Sequence, residues 1–159
     1  MARTVKLLGA PVDLYFEASR HMGEIAREFM LISLGERSGV NERVPGRLLE
    51  LVAELRGPRR RDADAIRQQF EQAALAGRDT IDLEVPADET VAGITERITE
   101  LLDAADEFCR SGDLLTLASS PEVVAWRHWW RDQVLGQVRE GASPERWAPV
   151  GSQGSTDGP

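Results

Sequence analysis

The most regular pattern in the chain runs from Asp88 to Gly112. Val91, Ile94, Ile98, Leu101, Ala105 and Phe108 recur at intervals of three and four residues, the rhythm of a helix that buries one stripe. The opposite face carries Glu96, Arg97, Glu100, Asp103 and Glu107. Asp88 suits the N-cap, Glu89 the first turn and Gly112 the stop. A central, packed helix is predicted here.

The rest of the chain is read around that helix. Val5-Lys6-Leu7-Leu8 is a short apolar stretch ending at Gly9-Ala10-Pro11, and Pro11 can open a helix because its missing N–H costs nothing there. From Val12 to about Glu36, Val12, Tyr15, Ser19, Met22, Ala26, Phe29 and Ser33 repeat at helical spacing, with Leu14, Ala18, Ile25 and Ile32 widening the stripe. Phe29-Met30-Leu31-Ile32 is apolar all round, so this end is expected to be covered on more than one side. Pro45 begins a second helical pattern with Leu48, Leu51, Val52 and Leu55, and Gly57-Pro58 breaks it. A third follows from roughly Arg60 to Ala76, with Ala63, Ile66, Phe70 and Ala73 inward.

Between Thr80 and Pro86 the period changes. Ile81, Leu83 and Val85 alternate with Asp82 and Glu84, which marks a half-buried strand. Its partner is either Val5–Leu8 or a strand from another molecule. After the central helix, Leu114-Leu115-Thr116-Leu117 reads as a packed connection. Ser120 and Pro121 start a last helix, whose inner face is Val123, Trp126, Trp130, Val134 and Val138. The sum is an all-α fold of four or five helices in a bundle, with at most a short two-stranded β element. It forms one domain over residues 1–147, and a Gly/Ser-rich tail over 148–159 is expected to be disordered.

Charge sharpens this picture. Of the net −8, residues 1–78 carry 13 Lys/Arg against 11 Asp/Glu, and residues 79–159 carry 6 against 16, so the second half holds −10. An acidic chain is a poor general binder of nucleic acid. The basic cluster Arg56, Arg59, Arg60 and Arg61 runs straight into Asp62 and Asp64. No apolar run is long enough for a membrane span, and the Met-Ala-Arg-Thr start lacks a signal-peptide core. The single cysteine, Cys109, permits no internal disulfide, and a reducing cytoplasm is the default. One lysine against eighteen arginines points to a GC-rich genome.

Candidate chemistry is sparse. Glu17, His21, Glu24 and Glu28 share one helix face, but a di-iron bundle needs Glu-x-x-His on two helices, and here the order is reversed and occurs once. A solvated polar face with Arg20 and Arg27 as partners is the simpler reading. Cys109 lies beside the buried seam with no histidine near it in sequence, so a structural thiol is expected. There is no phosphate loop, Cys-x-x-Cys pair or nucleophile elbow. No catalytic residue, metal or cofactor is assigned. Two surfaces stand out for partner binding. One is the acidic stripe Glu96, Glu100, Asp103 and Glu107, a docking face for a basic partner or, on the simpler reading, a plain solvated helix face. The other is the cluster Trp126, Trp129 and Trp130, which cannot all face one side of a helix. Trp126 and Trp130 suit the core and Trp129 an interface.

Several segments together are similar to a known group. They are Arg27-Glu28-Phe29 with Ile32-Ser33-Leu34-Gly35, Asp82-Leu83-Glu84-Val85-Pro86, and above all residues 101–117, LLDAADEFCRSGDLLTL, followed by Pro121-Glu122-Val123. Over roughly residues 5–140 the chain resembles small helical regulatory proteins of actinobacteria that accompany anti-sigma-type ATPases and STAS-domain antagonists. That resemblance implies cytoplasmic partner-switching signalling, with this chain as a binding component and no catalytic residues to carry over. The functional expectation is a non-enzymatic module that binds such a protein or a second copy of itself. A helical small-molecule sensor is the alternative, and a metal-dependent enzyme comes third.

Overall fold

The structure, a computed structural model, describes residues 2–33, 60–112 and 114–150. The helix expected from Pro45, its break at Gly57-Pro58 and the tail from residue 151 lie outside the described residues. In chain order the elements are β1 (Arg3–Pro11), α1 (Val12–Ser33), α2 (Arg60–Leu75), β2 (Thr80–Ala87), α3 (Glu89–Arg110) and α4 (Pro121–Leu135). The last helix continues as a π-helical segment, Gly136–Glu140. The described chain is therefore mostly helical, with one two-stranded sheet. No described helix is long and apolar enough to cross a membrane.

The alternation of residues 80–86 does form a strand, and its partner is in the same chain. β1 and β2 pair antiparallel, with Arg3 opposite Ala87, Val5 opposite Val85 and Leu7 opposite Leu83. The register then shifts before Ala10 meets Ile81. The slack is taken up at Gly9, whose φ of 67° is left-handed and whose N–H donates to Asp82 Oδ1 at 2.7 Å. A side chain there would be strained, and its Cβ would come within 2.9 Å of the Arg146 guanidinium.

At nine and eight residues the strands are longer than expected, and the sheet is no appendage. Val5, Leu7, Ala10, Leu83, Val85 and Ala87 make one wall of the main core, facing Phe70 and Ala73 of α2, Ala92 of α3 and Val134 of α4. Tyr15 of α1 stacks on Phe70, with ring centroids 3.8 Å apart and planes 4° from parallel. The helices thus pack both on one another and on the sheet, where a helical bundle with at most a short two-stranded β element was expected.

The outer edge of β1 is closed by the C-terminal part of the chain. Lys6 N–H donates to Gln137 Oε1 at 2.9 Å, and Gln137 Nε2 donates back to the Lys6 carbonyl at 2.8 Å. One glutamine amide stands in for a neighbouring strand. Further along, Trp147 N–H donates to the Leu8 carbonyl at 2.9 Å.

A second core lies between α1 and α3, built from Ile25, Phe29, Leu101, Leu102, Ala105 and Leu114. Leu31, in the apolar run expected to be covered all round, is exposed. α3 starts and stops where the sequence predicts: Asp88 caps it by accepting from Val91 N–H at 2.9 Å, and Gly112 leaves it at a φ of 80°. Its buried face differs from the apolar stripe. Ala92, Thr99, Leu102 and Asp106 are buried with Leu101 and Ala105, whereas Val91, Ile94, Ile98 and Phe108 are only partly covered. The helix is turned toward its polar residues because those residues have partners. Thr99 Oγ1 returns its hydrogen bond to the Thr95 carbonyl, and Asp106 is held by groups from outside the helix.

Truncating Phe70 to alanine removes the ring that joins α2, α1 and the sheet. A loss of about 3–5 kcal/mol in unfolding free energy is expected from urea denaturation.

Candidate functional site

The residues that join α1, α3 and α4 form a polar cluster around the connector 111–120. Asp106, 1% exposed, is its centre. Asp106 Oδ1 accepts from Ser119 N–H and Ser119 Oγ–H, each at 2.9 Å, and Oδ2 accepts from Arg127 Nη2 at 2.8 Å. The same guanidinium nitrogen donates to Asp103 Oδ1 at 2.6 Å, and Asp103 Oδ2 meets His128 Nε2 at 2.7 Å. Burial works to raise the Asp106 pKa. The Arg127 hydrogen bond, the Ser119 donors and the guanidinium charge more than offset it, so the carboxyl lies below its ordinary range.

Glu28 of α1, 6% exposed, does the same for the front of the connector. Its carboxylate accepts the N–H of Leu115, the N–H of Thr116 at 2.8 Å and the Thr116 hydroxyl at 2.6 Å. His21, about two turns earlier on α1, holds the rear: its Nε2–H reaches the Leu117 carbonyl at 2.8 Å, and Nδ1 lies 3.3 Å from Ser119 Oγ. Ser120 caps α4 by accepting from Val123 N–H, and its own hydroxyl donates to Glu17. Among its described residues the connector has no helix or strand of its own, yet side chains hold its backbone at Leu115, Thr116, Leu117 and Ser119.

What this grip displays is apolar. Leu114 turns into the second core, whereas Leu115 and Leu117 are 73% and 83% exposed. The packed connection expected here holds for Leu114 and fails for the other two, whose backbone is held by Glu28 and His21 while their side chains stay in solvent. Leu117 also borders a cleft of about 250 Å³ lined by Glu17, Arg20, His21, Glu24, Ser119 and Val123.

The sequence-predicted residues fall in different places. Glu17, His21, Glu24 and Glu28 do not form the solvated face expected with Arg20 and Arg27, since Glu28 is buried and His21 is partly so. Trp126 is buried and packs against the half-buried Trp130 at 5.3 Å. Trp129 is half-buried against Trp147 at 5.6 Å, and its indole N–H donates to the Glu145 carbonyl at 3.1 Å. Of the acidic stripe, Glu100 and Glu107 are exposed. Glu96 pairs with Arg139 at 3.1 Å, and Asp103 belongs to the cluster described above. Sequence reasoning missed Asp106, Arg127, Thr116 and Ser119 as one unit. The signal available was two charged residues, Asp106 and Arg127, next to or on predicted apolar faces.

Cys109, one turn after Asp106, completes the junction. Burial and the negative charges of Asp106 and Glu28 push its thiol up to about 11, so it is protonated at neutral pH and unsuited to nucleophilic attack. A ligating atom from each of His21, Asp106 and Cys109 lies within 4.8 Å of the others. Comparison of the chain with protein-family models, with curated proteins and with solved structures finds no match.

Removing one half of a buried ion pair strands the other half. Asp106→Ala is expected to cost about 3–5 kcal/mol, measured by urea denaturation at pH 7. A carboxyl whose pKa is depressed by folding adds stability above its unfolded value of about 3.9, and that share disappears as pH falls through the folded value. Asp106→Asn is therefore expected to be less stable than the parent at pH 7 and to lose less on acidification from about pH 5 to pH 3.

Proposed function

We propose that this protein is a non-enzymatic regulatory module that acts by binding another protein, and that the α3–α4 connector is its contact element. The observation that carries this reading is the exposure of Leu115 and Leu117 on a backbone held by Glu28, His21 and Asp106. A single exposed leucine, such as Leu75 at the end of α2, needs no explanation. Two on a loop fixed by buried carboxylates are different. The ordering cost that a flexible loop meets on association has already been met in folding, and a preorganised apolar pair is what an interface hot spot requires.

The partner is a protein with an apolar groove and a basic rim, matching the acids Glu17 and Glu24 beside Leu117 and the −10 of the second half of the chain. The resemblance of residues 101–117 to actinobacterial regulators favours an anti-sigma-type ATPase or a STAS-domain protein, in the cytoplasm. The Trp129–Trp147 pair and the exposed Glu100 and Glu107 are the secondary candidates for contact.

Purified STAS-domain and anti-sigma-type ATPase proteins from the source genome, titrated against this chain, test the reading. Wild type is expected to bind one of them, and Leu115→Ser with Leu117→Ser is expected to weaken that binding at least about tenfold, with thermal stability unchanged. Binding that survives the double substitution would remove the connector from the interface. Binding to neither class would overturn the partner assignment.

A further inference from the structure

Outside the exposed leucines, the group with most unassigned chemistry is the half-buried meeting of His21, Asp106 and Cys109. It brings together one nitrogen, one oxygen and one sulfur donor from two helices. We propose that His21, Asp106 and Cys109 bind a single zinc ion, which ties α1 to α3 beneath the connector.

The geometry supports three protein ligands. The three donor atoms already lie within 4.8 Å of one another. Tetrahedral zinc with bonds of about 2.0–2.3 Å places its ligands roughly 3.5 Å apart, so side-chain rotations that close the group by about 1 Å complete the site. His21 Nε2 is already 3.6 Å from Asp106 Oδ1. Asp106 and Cys109 are three apart on α3 and so share a face.

The surroundings are those a bound imidazole and carboxylate need. Whichever ring nitrogen of His21 ligates, the other has a partner in place, Leu117 carbonyl for Nε2 or Ser119 hydroxyl for Nδ1. The second oxygen of Asp106 is fixed by Arg127. Of the three donors, His21 borders the cleft beside Ser119, and a water would complete the tetrahedral set. On binding, Cys109 releases its proton to solvent and ligates as thiolate. A mixed N, O and S donor set in tetrahedral reach suits zinc, whereas magnesium and calcium favour oxygen alone.

This proposal is independent of the partner reading and is tested without a partner. The full chain, free of any affinity tag and stripped with a chelator, is titrated with cobalt(II) as a spectroscopic stand-in for zinc. The expected result is tetrahedral visible bands and a near-ultraviolet thiolate-to-cobalt band that saturate together at one equivalent and are abolished by one equivalent of zinc. With one cysteine in the chain, the thiolate band reports Cys109 alone. Cys109→Ser is expected to lose that band, His21→Gln to weaken binding at least about tenfold, and Glu71→Gln on the exposed face of α2 to leave it unchanged. In the unaltered protein, one equivalent of zinc is expected to slow alkylation of Cys109 at least about tenfold, which reads the site even where a variant fails to fold. No saturable uptake at one equivalent, uptake without a thiolate band, or alkylation indifferent to zinc would each overturn the proposal.

Discussion

The carboxylate of Asp106 is the constraint on which the junction of this protein depends. It sits on a helix face that hydrophobic pattern would assign to solvent or to the margin of the core, and it is almost wholly buried. A bare carboxylate there would carry a desolvation cost of several kcal/mol. Arg127 from α4 and the N–H and hydroxyl of Ser119 saturate it instead. Because those donors come from the next helix and from the connector, satisfying one charge fixes the rotation of α3, the approach of α4 and the rear of the connector together. Exchange of the charged pair for apolar residues can preserve stability in a protein. It would remove the acceptor that holds the Ser119 N–H and hydroxyl.

The sheet imposes a second constraint of the same kind. Two strands alone are marginal in water. Here β1 gains a neighbour on its free side from the Gln137 amide and the Trp147 N–H, while the apolar face of the pair is covered by Phe70, Ala73, Ala92 and Val134. The π-helical turn at Gly136–Glu140 follows α4 directly and carries Gln137. The segment that follows then crosses to β1, with Trp129 and Trp147 packed between. The N-terminal strand and the C-terminal segment are thus mutually dependent, although some 130 residues separate their hydrogen-bonded partners.

Much of this was legible from local pattern. The alternation around Leu83 and Val85, the Asp88 and Ser120 caps, the stop at Gly112 and the inward Phe70 and Ala73 all appear where sequence spacing places them. Each is decided by residues within a few positions of one another. What could not be read was decided at long range. Glu28 meets Thr116 from 88 positions away, and Arg127 meets Asp106 from 21. A periodicity argument counts apolar residues and assigns charge to solvent, so it turned α3 away from Thr99 and Asp106 and placed Leu115 and Leu117 inside. The tryptophans show the same limit: the geometric argument that one of the three must leave the core was sound, but it could not say that Trp147 of the same chain would meet Trp129.

The connector shows how these constraints combine. Its described residues lack regular structure, and the usual expectation for such a segment is mobility. Here Glu28 takes two successive N–H groups, His21 takes the next carbonyl but one, and Asp106 takes the Ser119 N–H. Thr116 turns its hydroxyl toward Glu28, while its two neighbours, Leu115 and Leu117, face solvent. Apolar side chains held outward in this manner gain nothing for the isolated fold, since folding inward would hide them from water.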